Sequence, residues 1–157
     1  HIIDKLRLTL KLEEGKQELI LVSCSMKKII ESCVSDLKDK YKNREILIQG
    51  DDVTLKVDET LISMAISNLI ENALKYSEDE IIVNISNNSI TVVDKGIGIE
   101  EKELEKINKK FYRVSDNGWN NSLGLGLFIV QSVLSLHNFS LQIDSEFKKG
   151  SQFSINY

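Results

Sequence analysis

The sequence predicts an α+β fold, a two-layer α/β sandwich in which a mixed sheet carries its helices on one face. Three observations lead there. Strand patterns of period two and helical patterns of period 3.6 interleave along the 157 residues, which suits packed layers of both kinds. A hydrophobic fraction of 41% supplies a real core for a single domain of ordinary size. Proline is absent, so the punctuation between elements rests on Gly, Asn, Ser and Asp.

Residues 2–14 are apolar at mixed spacing without a start signal, which reads as the tail of a helix begun upstream and stopped by Gly15. Gln17 to Val22 reads as a short strand. Ser25 is placed to cap a helix running to about Tyr41, in which Met26, Ile29, Ile30, Cys33, Val34 and Leu37 form an apolar stripe. Glu45 to Gln49 and Val53 to Val57 are brief strand candidates around the turn Gly50-Asp51-Asp52. Asp58 suits the N-cap of a long helix ending near Tyr76. Glu80 to Ser86 and Ser89 to Asp94 alternate apolar and polar residues about Asn87-Asn88, a hairpin signal. Glu100 to Lys110 reads as a charged, exposed helix, and residues 114–123 as a mobile polar loop. A helix from Leu125 to His137 follows. Strands at Ser140 to Ser145 and Ser151 to Asn156 then flank the turn Lys148-Lys149-Gly150.

Composition narrows the function classes. A formal charge of −4 argues against nonspecific binding to nucleic acid, whose phosphates reward clustered Lys and Arg. Two cysteines, Cys24 and Cys33, do not make a disulfide framework. Nine residues apart on one expected helix, they read as reduced, inert thiols. No run approaches the roughly 18–20 apolar residues that cross a bilayer, and no signal peptide opens the sequence. A start at His1, inside a helical pattern, reads as a piece of a longer protein.

The chemistry concentrates in three places. On the helix after Asp58, Asn68, Asn72 and Lys75 stand at i, i+4 and i+7, within a narrow arc beside a broad apolar face of Ile62, Ile66, Leu69, Ile70 and Ala73. Carboxamide oxygens are hard ligands that Mg²⁺ accepts alongside waters and substrate phosphates, and a lysine one turn on can face the phosphate oxygens. Asp94 ends an apolar strand and is followed by Gly96-Ile97-Gly98, glycines that let a ligand approach the backbone. A buried carboxylate only accepts, so it favours the exocyclic amino group of adenine and repels the carbonyl of guanine. Gly124-Leu125-Gly126-Leu127 opens the next helix straight after the polar loop, where free N–H groups form an anion site.

In that order, these motifs resemble the catalytic ATP-binding domain of sensor histidine kinases of two-component systems, part of the superfamily that includes gyrase, the Hsp90 chaperones and the MutL repair proteins. NLIENALKYS at 68–77 is similar to the family's N box, DKGIGI at 94–99 to its G1 box and KKFYRV at 109–114 to its F box. LGLGL at 123–127 is similar to the G2 box, and GSQF at 150–153 to the last glycine motif. LKLEEGK at 10–16 resembles the end of the second dimerisation helix, so residues 1–15 would close a helical dimerisation and phosphotransfer domain and 16–157 would form the catalytic domain, of Bergerat type. Two departures stand out: Ser122-Leu123 precede Gly124 where the G2 box commonly has another glycine, and Asn108 occupies a place that is often aromatic.

The resemblance implies ATP and Mg²⁺ as cofactors. Asn72 would hold the metal and Asn68 would support the phosphate–metal cluster. Lys75 and Tyr76 would contact phosphates and the adjoining nucleotide. Asp94 would take the adenine amino group, and Gly96, Ile97 and Gly98 would shape its pocket. Phe111 and Arg113 would belong to the F box, Arg113 with a catalytic role beside Asn72 and Lys75. Gly124, Leu125, Gly126 and Leu127 would anchor a lid over about 112–123, which contains Trp119, the sole tryptophan. The implied activity transfers the γ-phosphoryl of ATP to a histidine on an absent helical domain, the protein's own or its partner subunit's. From there it would pass to the aspartate of a response-regulator receiver domain. The implied setting is the cytoplasmic part of a homodimeric parent in the inner or cell membrane. Neither His1, followed by Ile, nor His137 fits the phosphoacceptor pattern of His before an acidic residue.

Two other readings stay open. A hydrolytic relative of gyrase or the chaperones would carry a glutamate four residues before the metal-binding asparagine. Here that place is Asn68, whose amide cannot act as a base, and Glu71 points about 100° away from Asn72. A nucleotide-binding interaction module without transfer activity is the other.

Overall fold

The computed structural model describes residues 2–98 and 126–157. Helix α1 (Ile2–Glu13) ends at Gly15, whose φ of 67° is the left-handed closure a glycine permits. The N–H of Lys16 returns to the carbonyl of Lys11 and that of Gly15 to Leu12, so the last turn is satisfied.

Strand β1 (Val22–Ser25) pairs antiparallel with β3 (Thr54–Val57), with Val22 opposite Val57, as a separate two-stranded sheet. The strand expected at Gln17 to Val22 therefore lies later. Pairing with β3 dictates its register, and Ile20 and Leu21, both apolar, remain exposed. Cys24 falls on this strand, not on the helix with Cys33; both thiols are free and buried.

Helix α2 (Met26–Lys40) begins as its sequence indicates. Ser25 Oγ accepts from the N–H of Lys28, and Asp52 reaches across to the Ser25 hydroxyl at 2.6 Å and the Lys27 N–H at 2.9 Å. Its apolar stripe, from Met26 to Leu37, is buried. Strand β2 (Ile46–Gly50) leads through the Asp51-Asp52 turn into β3. The two strands flanking that turn belong to different sheets.

Helix α3 (Glu59–Lys75) is the spine. Asp58 caps it, accepting from the Leu61 N–H at 3.1 Å, and Leu61, Ile62, Ala65, Ile66, Leu69, Ile70, Ala73 and Leu74 are buried along one side. Strand β4 (Ile81–Ile85) and β5 (Ser89–Asp94) form the expected hairpin. Helix α4 (Gly126–Leu136), strand β6 (Ser140–Glu146) and strand β7 (Gly150–Asn156) complete the described residues. The main sheet runs β2-β4-β5-β7-β6, with β2 and β4 parallel and every other pair antiparallel.

Alternation sets the two layers. In β4, Ile81, Val83 and Ile85 are buried; in β5, Ile90, Val92 and Asp94 are. They meet α3, which packs between α2 and α4, in one continuous core with Ile29, Ile30, Ile129, Val133 and Leu134. The α+β sandwich with a mixed sheet is as the sequence predicts. The helix expected at Glu100 to Lys110 and the loop at 114–123 lie outside the described residues.

A buried contact ties the helix layer together at the far end from the glycine turn. His137, just past α4, accepts through Nε2 from the backbone N–H of Asp58 at 3.0 Å. Its ring proton is therefore on Nδ1, which faces the Val133 carbonyl at 2.7 Å. The Asp58 carboxylate also takes the N–H of Ile20 at 3.0 Å, so one residue joins the chain before β1, the start of α3 and the end of α4. His137 is a satisfied buried histidine.

Candidate functional site

The site grows from the carboxyl-terminal half of α3. Asn68 is buried, Asn72 half-buried and Lys75 exposed, so the polar stripe climbs out of the core along one helical face. Gly126 at the start of α4 stands beside it: a methyl group on Gly126 would lie 3.9 Å from Asn68 Oδ1. The asparagine helix and the last part of the glycine-led segment thus meet. Leu127, next along, packs on the core.

The end of α3 is closed by side chains. The Tyr76 N–H bonds to the Asn72 carbonyl at 3.1 Å, and Ser77 Oγ donates to the Ala73 carbonyl at 2.6 Å. Arg44 supplies the rest: Nη1 donates to the Leu74 carbonyl at 2.7 Å, and Nη2 to Ser77 Oγ at 3.0 Å and to the Asp79 carbonyl at 2.9 Å. Lys75 and Tyr76 are held between these bonds.

The second part is the turn after β5. Asp94 is the last residue of that strand, opposite Ser151 of β7, and it is buried. Its Oδ1 accepts from the Gly96 N–H at 2.9 Å, which folds the turn back on itself. Burial raises its pKa above the ordinary carboxylate value, against the lowering effect of the Gly96 and Ser151 N–H groups. Desolvation wins because two N–H groups do not replace the water an ionised carboxylate loses. An ionised carboxylate only accepts, so any further partner it takes must be a donor.

Turn and helix are stitched together. The Ile97 N–H donates to the Tyr76 carbonyl at 3.2 Å, and the Lys148 N–H donates to the Ile97 carbonyl. A Cβ at Gly96 would overlap the Tyr76 carbonyl oxygen, and one at Gly98, whose φ is 68°, would overlap the Glu146 carbonyl oxygen. Both glycines are therefore needed for packing between backbones. The Ile97 side chain is half exposed beside them.

Glu71, one residue before Asn72, faces Lys40 of α2, which reaches it at 2.9 Å. Burial pushes the Glu71 pKa up, but Lys40, Lys75 and Tyr41 together outweigh that and hold it below the usual value. Burial, with the nearby Glu71 charge, pushes Tyr41 up to about 12.

Of the residues singled out from sequence, Asn68, Asn72, Lys75, Tyr76, Asp94, Gly96, Ile97, Gly98, Gly126 and Leu127 fall at this junction of α3, the β5 turn and α4. Phe111, Arg113, Gly124, Leu125 and Trp119 lie outside the described residues. Arg44 and Ser151 escaped sequence reasoning. Arg44 sits in the polar run Lys42-Asn43-Arg44-Glu45, which carries no periodic signal, and Ser151 stands out in sequence only as part of the GSQF motif, with no role at the Asp94 carboxylate.

Residues 57–157 match the family model described as histidine kinase-, DNA gyrase B- and HSP90-like ATPase. The phosphate regulon sensor protein PhoR of Pseudomonas aeruginosa is 38% identical over 113 residues, covering 67% of this chain and 26% of its own length. The sensor-like histidine kinase SenX3 of Mycolicibacterium smegmatis is 34% identical over 142 residues, covering 81% of this chain and 37% of its own. The chain thus spans well under half the length of these curated relatives.

Among solved structures, full-length ShkA in complex with AMPPNP superposes with a TM-score of 0.83 at 19% identity, covering 98% of this chain and 34% of that one. The mycobacterial sensor histidine kinase MprB does so at 0.76 and 21%, covering 87% of this chain and 95% of that one. At such identities the superpositions speak for the fold. The family match over residues 57–157, with the relatives above, means that this chain belongs to the histidine kinase-, DNA gyrase B- and HSP90-like ATPase family, as an ATP-binding catalytic domain similar to those of sensor histidine kinases.

Proposed function

We propose that the α3 stripe and the β5 turn grip opposite ends of one Mg-ATP, whose γ-phosphoryl goes to a histidine on a helical domain that this chain does not contain. The observation that carries the reading is the contact of Gly96 and Ile97 with the Tyr76 carbonyl, which sets the turn of the adenine-selective acid directly beside the phosphate-facing helix end. Asp94 receives the adenine amino group, and Gly96, Ile97 and Gly98 wall its pocket. Asn68, Lys75 and Tyr76 attend the phosphates, with Gly126 and Leu127 at the entry to α4. Phe111, Arg113, Gly124 and Leu125 keep the roles that the family motifs imply.

The donor set fits magnesium. Among the described residues no group of three or more His, Cys, Asp or Glu side chains is placed to cage a metal. A hard carboxamide at Asn72 is the kind of single protein ligand Mg²⁺ takes when phosphates and waters fill the remaining positions. When bound, the ion would neutralise charge on the transferring phosphates. The chain's own contribution is positioning, since phosphoryl transfer asks little covalent chemistry of the protein.

Hydrolysis by a water held on α3 is disfavoured. Asn68 occupies the place of a general base without basicity, and Glu71, next to Asn72 in sequence, is engaged by Lys40. Residues 1–15 would end the helical dimerisation domain and 16–157 form the catalytic one. A homodimeric parent, a response-regulator receiver domain and a place on the cytoplasmic side of a cell membrane complete the proposal. No helix of the described residues is long and apolar enough to cross a membrane.

Titration calorimetry tests it. Asn72→Ala should abolish the Mg²⁺-dependent part of ATP affinity, and GTP should compete poorly with ATP for the native chain. Unchanged affinity in the variant removes the metal assignment, and equal competition by GTP removes the role of Asp94.

A further inference from the structure

Arg44 lies outside the nucleotide motifs, on the segment entering β2, yet its guanidinium spans the carboxyl end of α3. Its three hydrogen bonds go to the Leu74 carbonyl, the Ser77 hydroxyl and the Asp79 carbonyl. The first two bracket Lys75 and Tyr76, and the third fixes the turn that leads into β4. Ser77 adds a bond to the Ala73 carbonyl, so two consecutive last-turn carbonyls of α3 are satisfied by one connected pair of side chains.

Such a clamp is costly as a stabiliser alone. Arg44 Nε is buried and has no hydrogen-bond partner among the described residues, so the planar fork sits there with one N–H orphaned. What the fork gains is direction. It sets the angle at which the chain leaves α3, and the Tyr76 carbonyl meets the Ile97 N–H within that same exit.

We infer that Arg44 is a positioning residue for the phosphate-binding end of the site. It acts through Lys75 and Tyr76 and touches no nucleotide itself. The inference rests on the reading of those two residues given above. It predicts a selective defect: loss of the clamp should blur where Lys75 points while leaving Asp94, held by its own turn and by β7, in place.

The test is a double-mutant cycle on this chain, reading Mg-ATP affinity by calorimetry and adenosine affinity by competition. Arg44→Met should weaken Mg-ATP about tenfold, which is about 1.4 kcal/mol, and adenosine by less than about twofold. Adding Lys75→Met to Arg44→Met should cost less than Lys75→Met costs in the native background, because the two act in series. Arg44→Lys, which keeps a donor without the fork, should lose less. If Arg44→Met does not fold, Arg44→Lys and Ser77→Ala carry the same readouts. Equal losses for both ligands, no loss for either, or strict additivity with Lys75→Met overturns the inference. An inert Lys75→Met in the native background overturns the underlying reading of the phosphate end instead, so the two failures are told apart.

Discussion

At the proposed adenine end of the site, the geometry is built from backbone. Gly96 and Gly98 pack their Cα atoms against the carbonyls of Tyr76 and Glu146, and the Asp94 carboxylate is held by the Gly96 and Ser151 N–H groups. At the proposed phosphate end, the geometry is built from side chains on a regular helix. Asn68, Asn72 and Lys75 project from α3, and their positions depend on how that helix is held by Asp58 at its start and by Arg44 and Ser77 at its end. The adenine end should therefore fail abruptly when a methyl group is added. The phosphate end should fail by degrees as its chemistry is removed.

The sharpest way to break the contrast is Gly96→Ala. The added carbon must displace either the turn or the end of α3, since the atom it meets is a main-chain oxygen. ATP affinity should fall more than about 100-fold, or about 2.8 kcal/mol, with the helical content of the circular dichroism spectrum retained. A variant that binds ATP within about threefold of the native chain would show that the turn yields.

Next in size is Asp94→Asn, which should weaken ATP by about 1.5–3 kcal/mol, the range for a hydrogen bond to a charged group. It should also separate binding from stability. The raised pKa of Asp94 means the folded chain holds the carboxyl proton more tightly than the unfolded chain does. That contribution is whole below the unfolded value, about 3.9, and is lost as the pH rises through the folded one. At neutral pH the ionised acid detracts from stability. The variant's thermal midpoint at pH 7 should equal or exceed that of the native chain, with the difference closing as the pH drops into the ordinary carboxylate range. A native chain more stable than the variant at pH 7 would sink this account.

The smallest effect is expected at Lys40→Met. Its partnership with Glu71 is between a largely exposed ammonium and a mostly covered carboxylate, 63% and 18% accessible, so screening limits its worth. Urea unfolding should register less than about 1 kcal/mol. A larger loss would mean that the α2–α3 contact holds the phosphate end more firmly than the Arg44 clamp does.

Much of this molecule was legible before any coordinates. The cap at Asp58, the stripe of α2 and the β4–β5 hairpin are local patterns, and short-range sterics and hydrogen bonding decide them. The sequence pattern places β1 too early, because the strand's ends are set by pairing with β3, about thirty residues away, and not by its own composition. For the same reason the strands on either side of Asp51 gave no sign that they join different sheets.

By itself, the sequence determined which chemistry is present: two carboxamides and an ammonium on one helical arc, and an acid before a glycine turn. These follow from the helical repeat and from the backbone freedom of glycine, which need no distant partner. Only the tertiary structure decided that Gly96 lies against Tyr76, that Arg44 closes α3 and that His137 bonds Asp58 across 79 residues. Those contacts join segments remote in the chain. Burial of a common core brings them together, and no local pattern encodes which distant backbone oxygen a given glycine or guanidinium will meet.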